Sequence, residues 1–378
     1  MNIFPPVGGG AGKIIKNIAL NFAKSGHEVH ILTSRYKNFQ INVTHFNLHF
    51  HYVWGKRKSA LENSIFPTFI SFFFLGFLKS LWIIRKYKID IIHSSISLPC
   101  GLIGIILSKI FRKAHILSLS GSDIPYHTRS RLMIILKPLI KIILLNCDLV
   151  IANSKGLVNT LKKTADINEI KVKVIYPGVN FPKKNHFVKS NTVPNEPINL
   201  ISIGRLIKIK GFQDVILSIN EIIKESQIQI NYSIVGDGPY MKNLKELIKK
   251  FNLGEHVKLH GFINDKNEKS KLFFGSDIFI GASHYEALGL VFIEALAHGL
   301  PLIGTNTGGI PEIISSDDYG ILVEPRNIAD IKDAIIKLSK NLNYFDKTVL
   351  MNKSKDFSWQ KVSNDYLNCY AKVLSKYE

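Results

Sequence analysis

Residues 283–301 read Ser-His-Tyr-Glu-Ala-Leu-Gly-Leu-Val-Phe-Ile-Glu-Ala-Leu-Ala-His-Gly-Leu-Pro, with Glu286 and Glu294 the only carboxylates in an otherwise apolar stretch. A buried acid is costly unless a partner or a ligand satisfies it. If Glu286 lies in a loop, both acids can face a polyhydroxylated ligand, so the segment reads as a sugar-binding site. Residues 290–298 have the pattern of a short helix closed by Gly299 and Pro301. Its first amides, freed by Gly289, would point at an anion, and Glu294, one turn inside, could accept hydrogen bonds from vicinal hydroxyls such as those of a ribose. The plainer reading of Glu294 is a solvated helical acid, but Phe292, Ile293, Ala295 and Leu296 beside it argue for a buried helix.

A second group is cationic. The run Ile-Ser-Ile-Gly204-Arg205-Leu-Ile-Lys208-Ile-Lys210-Gly211 is a strand, a glycine, a basic loop and a helix start. Cations at a strand end suit a diphosphate, which Arg grips with two parallel bonds and Lys neutralises as a point charge. Alone the pattern is weak, since basic loops are usually just solvated; on the same sheet edge as the acid pair it is stronger. Gly8-Gly9-Gly10-Ala11-Gly12-Lys13 fails the phosphate-loop signature, since Ile14 stands where that motif has Ser or Thr. A glycine turn opening a helix can still approach a diphosphate or sugar closely. No metal is expected. Asp-x-Asp is absent, Cys100, Cys147 and Cys369 have no ligand spacing, and His27-Glu28-Val29-His30 misses the zinc-protease spacing by one residue on a presumed strand.

The chain has 378 residues, 46% of them hydrophobic and 21% charged, which suits two globular domains in a reducing cytoplasm. Its formal charge of +20 is one-sided: residues 1–190 hold 27 Lys and Arg against 7 Asp and Glu, and residues 191–378 hold 22 of each. Such a field draws an anionic membrane face or a nucleic acid. Nucleic acid ranks lower and is not expected, because stacking aromatics interleaved with basic residues are not evident. The apolar run 69–78 falls short of the about 20 residues a spanning helix needs. Residues 129–145 mix a broad apolar surface with Arg129, Arg131, Lys137 and Lys141, as in a helix lying in a membrane interface. Packing on a sheet explains that surface equally well, and Pro138 would kink the helix.

Short β-branched runs alternate with helical patterns throughout. Strands are expected at 27–34, 47–53, 90–95, 115–120, 149–153 and 172–176, with helices near 11–24, 75–86, 102–111 and 157–164. After the polar run 182–197 a second series has strands at 198–204, 230–235, 257–261, 278–281, 302–304 and 321–324. That alternation predicts an α/β protein of two doubly wound Rossmann-like domains, with the site at the carboxyl ends of the strands in the cleft between them. The expected organisation is an N-terminal domain over 1–181, a linker over 182–197, a C-terminal domain over 198–356, and a last helical segment over 357–378.

In order, Gly9-Gly10, Gly26-His27-Glu28-Val29, Asp90-Ile-Ile-His93, Gly121-Ser122-Asp123, Asn153-Ser154, Gly204-Arg205-Leu206 with Lys210-Gly211, Val235-Gly-Asp-Gly-Pro239, the two-glutamate segment and Gly308-Gly309-Ile310-Pro311-Glu312 resemble glycosyltransferase family 4 over nearly the whole chain. The resemblance implies a GT-B fold and a retaining hexosyltransferase that works without a metal or cofactor, with a nucleotide-sugar as donor and a last helix, opened by Phe357-Ser358-Trp359, that crosses back to the N-terminal domain. It further implies that Arg205 and Lys210 hold the donor diphosphate, Glu286 the transferred sugar and Glu294 the ribose. Amides of Leu288, Gly289 and Leu290 would touch phosphate and sugar, while Gly9 and Gly10 would close the donor site from the first domain. Glu286 and His93 are the candidate catalytic residues. The sequence departs from the family at Ser95 and Ser120, where many members carry His. Only three residues precede Phe4, so the family's first strand is expected to be missing from the N-terminal sheet. The expected acceptor is lipid-linked or a cell-surface glycan, with the enzyme on the cytoplasmic face of the membrane in polysaccharide or lipopolysaccharide synthesis. A GT-B nucleotide-sugar epimerase and a degenerate sugar- or polyanion-binding protein are the alternatives.

Overall fold

The structure is a computed structural model and describes residues 9–35, 45–54, 66–121, 131–165, 170–182, 196–226 and 228–377. Phe4-Pro5-Pro6 and any strand before it, Ser122-Asp123, Arg129 and most of the polar run 182–197 lie outside those residues. Contacts divide the chain into two units, Met1–Gly178 with Trp359–Glu378, and Val179–Ser358.

The first unit runs α1 (Gly9–Lys24), β1 (Val29–Ser34), β2 (Leu48–Val53), α2 (Phe66–Tyr87), β3 (Ile91–Ser95), α3 (Leu102–Phe111), β4 (Ala114–Leu119), α4 (Arg131–Asn146), β5 (Leu149–Ala152), α5 (Lys155–Ala165) and β6 (Val172–Val174). All pairings are parallel, but the described strands fall into two sheets, β1-β2 and β3-β4-β5-β6, rather than one. His27 and Glu28, expected on the first strand, precede it. β4 is buried along its whole length, as a parallel strand covered on both faces must be.

Helix α2 begins nine residues before the helical pattern suggests, because Pro67 falls in its first turn, where a missing N–H costs no hydrogen bond. One of its faces enters the core through Phe72 and Ile84, against Val53, Ile103 and Leu107, and Ile83 is buried as well. The opposite face leaves Phe74, Leu78 and Trp82 in solvent. In α4 the balance differs: Ile140, Ile143 and Leu144 are buried, and Ile142 and Leu145 are exposed. Packing therefore accounts for part of the apolar surface over 136–145. No helix among the described residues is long and apolar enough to cross a membrane.

The second unit runs β7 (Ile198–Ile203), α6 (Phe212–Glu225), β8 (Ile230–Val235), α7 (Met241–Lys250), β9 (Val257–Gly261), α8 (Lys266–Phe274), β10 (Ile278–Gly281), α9 (Leu290–Ala297), β11 (Leu302–Thr305), α10 (Ile310–Ile313), β12 (Gly320–Val323), α11 (Ile328–Lys340) and α12 (Lys347–Lys355). Its six parallel strands lie in the order β12-β11-β10-β7-β8-β9. The chain builds outward from β7 through β8 and β9, then returns to the other side of β7 with β10. The order reverses between β7 and β10, and loops leaving the carboxyl ends of two such strands part to form a crevice. Ser202 ties these two strands together below that point: its hydroxyl donates to the Ile280 carbonyl and accepts from the Tyr232 hydroxyl. The last helix, α13 (Trp359–Leu374), belongs to the first unit and packs on α1.

Candidate functional site

The switch point of the second unit brings Lys210 and Glu286 together. Lys210 closes the loop after β7, Glu286 sits in the loop after β10, and their side chains form a largely buried ion pair. The two loops are also joined through their backbones, His284 N–H donating to the Ile209 carbonyl at 2.8 Å. A small space of ≈ 30 Å³ lies by the pair, lined among others by Ser202, Gly281 and Phe292. That is room for a water or two, so a sugar at Glu286 would lie outside it.

Glu286 is fixed from behind by the glycine pair of Gly308-Gly309-Ile310-Pro311-Glu312. Gly309 N–H donates to the Glu286 carbonyl at 3.0 Å. Gly308 has φ +57°, and a Cβ there would lie 1.8 Å from that same oxygen. Only glycine fits where one backbone meets another this closely. At the other end of the segment, Gly289 (φ +90°) caps the start of α9 in the left-handed region. The amides of Leu290 and Val291 have no acceptor within the helix, which leaves them available to an anion, while Phe292 N–H donates to the Gly289 carbonyl at 3.0 Å. Leu288 is itself buried.

Glu294, in the middle of α9, pairs with Lys269 of α8. Its neighbours Phe292, Ile293, Ala295 and Leu296 are all buried, so this is a core helix with one acid at its rim. His298 Nδ1–H donates to the Glu294 carbonyl at 2.7 Å, while its ring stacks on Phe273. Each glutamate thus has a lysine of its own, and Lys210, expected to meet a phosphate, is occupied by Glu286.

Arg205 is exposed, and no carboxylate among the described residues pairs with it. Its base is held by the Val235-Gly-Asp-Gly-Pro239 turn. Buried Leu206, next in sequence, donates its N–H to the Asp237 carbonyl and accepts at its own carbonyl from Tyr240 N–H, both at 2.9 Å.

In the first unit Gly9 and Gly10 form the first turn of α1, with Gly10 exposed. His93 lies on β3 with both ring nitrogens engaged, Nε2 with Ser118 Oγ at 2.7 Å and Nδ1 with Tyr370 Oη of α13 at 2.5 Å. Burial, with His115 nearby, lowers its pKa to about 3, so the ring is neutral at pH 7. The structure places His93 in the first unit and the acids and cations in the second.

Two elements of the site had no sequence signal. Lys269 is one of three lysines on a polar helix, with nothing in its spacing to mark it. The second is a triad under the Glu286 loop: His284 Nε2 lies 2.6 Å from Asp214 Oδ2, and Arg326 Nε–H donates to His284 Nδ1 at 3.2 Å. With Nδ1 accepting, the ring carries its proton on Nε2 and donates it to Asp214. His284 stands in the opening motif, but its partners are 70 and 42 residues away.

Residues 8–181 match the family described as Glycosyltransferase Family 4, and residues 182–348 match Glycosyl transferases group 1. N-acetyl-alpha-D-glucosaminyl L-malate synthase of Bacillus anthracis is 26% identical over 383 residues, covering 98% of this chain and 96% of that one. An uncharacterized glycosyltransferase of Methanocaldococcus jannaschii is 30% identical over 289 residues, 74% of each chain. Among solved structures, sucrose-phosphate synthase from Thermosynechococcus elongatus has the same fold, with a TM-score of 0.82 at 21% identity over 97% of this chain and 94% of that one.

Proposed function

The chain belongs to glycosyltransferase family 4 and is a glycosyltransferase of GT-B fold, and we propose that it moves a sugar from a nucleoside-diphosphate sugar to a lipid-linked or cell-surface glycan acceptor, with retention of configuration. The observation that carries this reading is the Lys210–Glu286 pair at the sheet's switch point, flanked by exposed Arg205 and the open end of α9. A donor entering there exchanges partners with the protein. Its diphosphate takes Lys210 and Arg205 as charge-assisted donors, and released Glu286 accepts from hydroxyls of the transferred sugar. The same exchange at Glu294 frees a carboxylate for the ribose hydroxyls while Lys269 turns to solvent. The α9 amides supply fixed dipoles toward the phosphate, where charge grows as the glycosidic bond breaks. His93, neutral and held between Ser118 and Tyr370, orients rather than titrates in this scheme.

Membrane association is supported by α2 more than by 129–145. Trp54, Leu75, Leu78 and Trp82 line an apolar groove of ≈ 470 Å³ beside Lys79. The ammoniums of Lys79 and Lys86 lie 4.3 and 4.6 Å from the Trp82 ring. Aromatic and aliphatic groups rimmed by cations suit the interface of an anionic bilayer.

Calorimetric titration with UDP-, GDP- and ADP-sugars tests the donor assignment. One of them is expected to bind, and Arg205→Ala and Glu294→Gln are each expected to weaken it about tenfold or more. Unchanged binding in both variants would show that the donor lies elsewhere.

A further inference from the structure

The sequence His27-Glu28-Val29-His30 lacks metal-ligand spacing when read along the chain. The fold supplies the missing ligand from the neighbouring strand. β1 and β2 are parallel, with His30 directly opposite His49. His27 is no part of the arrangement; its ring contacts Phe22. Glu28 and His30 lie two residues apart, and His49 and His51 are spaced likewise on β2, so strand alternation brings four polar groups to one face.

We propose that Glu28, His30 and His49 form a binding site for one divalent transition-metal cation of the zinc class, fastening β1 to β2 and leaving a coordination position open to water. Glu28 Oε1 is 3.0 Å from His30 Nε2 and 3.5 Å from His49 Nε2. All three ligand atoms lie within 4.8 Å of one another. Bonds of about 2.1 Å to a tetrahedral ion put neighbouring ligand atoms roughly 3.4 Å apart, so two of the three edges are nearly at that length already. The third closes by a small rotation of His49, which is 41% exposed.

The surroundings fit the same chemistry. A ligating imidazole engages its second nitrogen with an acceptor that fixes its tautomer. His30 Nδ1 lies 3.0 Å from His51 Nε2, so His30 donates there when Nε2 binds a cation. Tyr87 covers the His30 ring at 4.1 Å and the His51 ring at 5.7 Å, forming an apolar wall. Lys79 and Lys86 face His51 and disfavour added positive charge. The Glu28 carboxylate offsets one of them, and the Trp82 ring lies near both ammoniums. Two imidazoles and one carboxylate are borderline ligands that suit zinc, nickel or copper and not magnesium. The site shares no residue with the donor site of the second unit, and the two readings stand or fall separately.

The test uses the full chain stripped with chelator and dialysed. Calorimetry with zinc chloride is expected to show one equivalent bound with micromolar affinity, and cobalt(II) to develop the visible absorption of a low-coordinate nitrogen and oxygen site. Glu28→Gln and His49→Ala are expected to weaken zinc at least about tenfold and to remove the rise in Tm that zinc gives the parent; His27→Ala is expected to change neither. Glu28 is 57% exposed, so its variant folds whether or not the metal matters. No saturable equivalent in the parent, or equal affinity in parent and both ligand variants, overturns the proposal.

Discussion

On the proposed function, replacing Lys210 by alanine would remove a cation from the donor diphosphate, and it strips Glu286 of its counterion. Both losses fall on the donor complex, so kcat/KM is expected to drop about 10²- to 10³-fold, the cost of losing one preorganised charged donor. Glu286, largely buried and left without its counterion, also costs stability, on the order of 3 kcal/mol, so a lowered Tm is expected beside collapsed steady-state kinetics. At this scale the sequence was legible where chemistry and local pattern coincide. Glu286, Glu294, Arg205 and Lys210 could be picked out because acids in apolar surroundings and cations after a strand-ending glycine are locally odd. Lys269, Asp214 and Arg326 could not, because a lysine on a polar helix looks the same whether it pairs with a distant acid or with water. Only the packing of α8 on α9 distinguishes it.

Elements explain why glycines and histidines far from the chemistry should matter. Gly308→Ala would drive a Cβ into the Glu286 carbonyl and break the bond from Gly309. Overpacking of this kind typically costs 1–3 kcal/mol. A fall in kcat/KM larger than the fall in stability by thermal unfolding is expected, because the displaced loop carries Glu286. In the first unit, β3 and β4 are linked through His115 and Ser94. The Ser94 hydroxyl donates to the Cys100 carbonyl, so His115 Nε2–H donates to Ser94, leaving Nδ1 buried with no partner. A proton on Nδ1 would have no acceptor, and burial lowers the His115 pKa to about 4. In the unfolded chain this histidine takes up a proton near pH 6.5. Its contribution is therefore complete above pH 6.5 and lost as pH falls toward 4, with His93 acting in the same sense to about 3. Tm is expected to fall steadily over that window, and His115→Asn, though less stable throughout, should show a shallower slope. The order of strands and helices was legible from alternating β-branched and amphipathic runs. Their ends were not: α2 starts at Phe66, nine residues before the expected helix, and Glu28 lies just outside β1. The separation of β1-β2 from β3-β6 depends on hydrogen bonding between strands, which local periodicity does not encode.

For the whole molecule the division of charge matters most. The basic excess lies in the first 190 residues, and α2 presents its exposed aromatic and aliphatic face on that unit. Sedimentation with vesicles containing phosphatidylglycerol is expected to carry the protein down. The double substitution Leu78→Ser and Trp82→Ser should release most of it, and sodium chloride should weaken binding further, since a Debye length of about 8 Å at physiological salt leaves little reach to surface lysines. Binding that ignores both changes would move the membrane face off α2. Domain order could be read from the sequence, and the return of α13 to the first unit was an expectation of the family resemblance alone; what holds it there is contacts such as Tyr370 with His93 and Tyr366 with Ser118, across more than two hundred residues.

Lys210 with Glu286 and Lys269 with Glu294 sum to zero, in a half of the chain whose formal charges also cancel. The two pairs cancel at a distance, which leaves exposed Arg205 as the crevice's cation without a carboxylate partner among the described residues. On the proposed function, a nucleotide-sugar would be steered only weakly to it and selected on arrival, and a simple anion such as phosphate, with no hydroxyls to offer the displaced glutamates, would gain little by breaking the pairs. The enzyme should therefore show two unlike responses to one variable: rising ionic strength strips it from a bilayer while leaving its KM for the donor nearly flat.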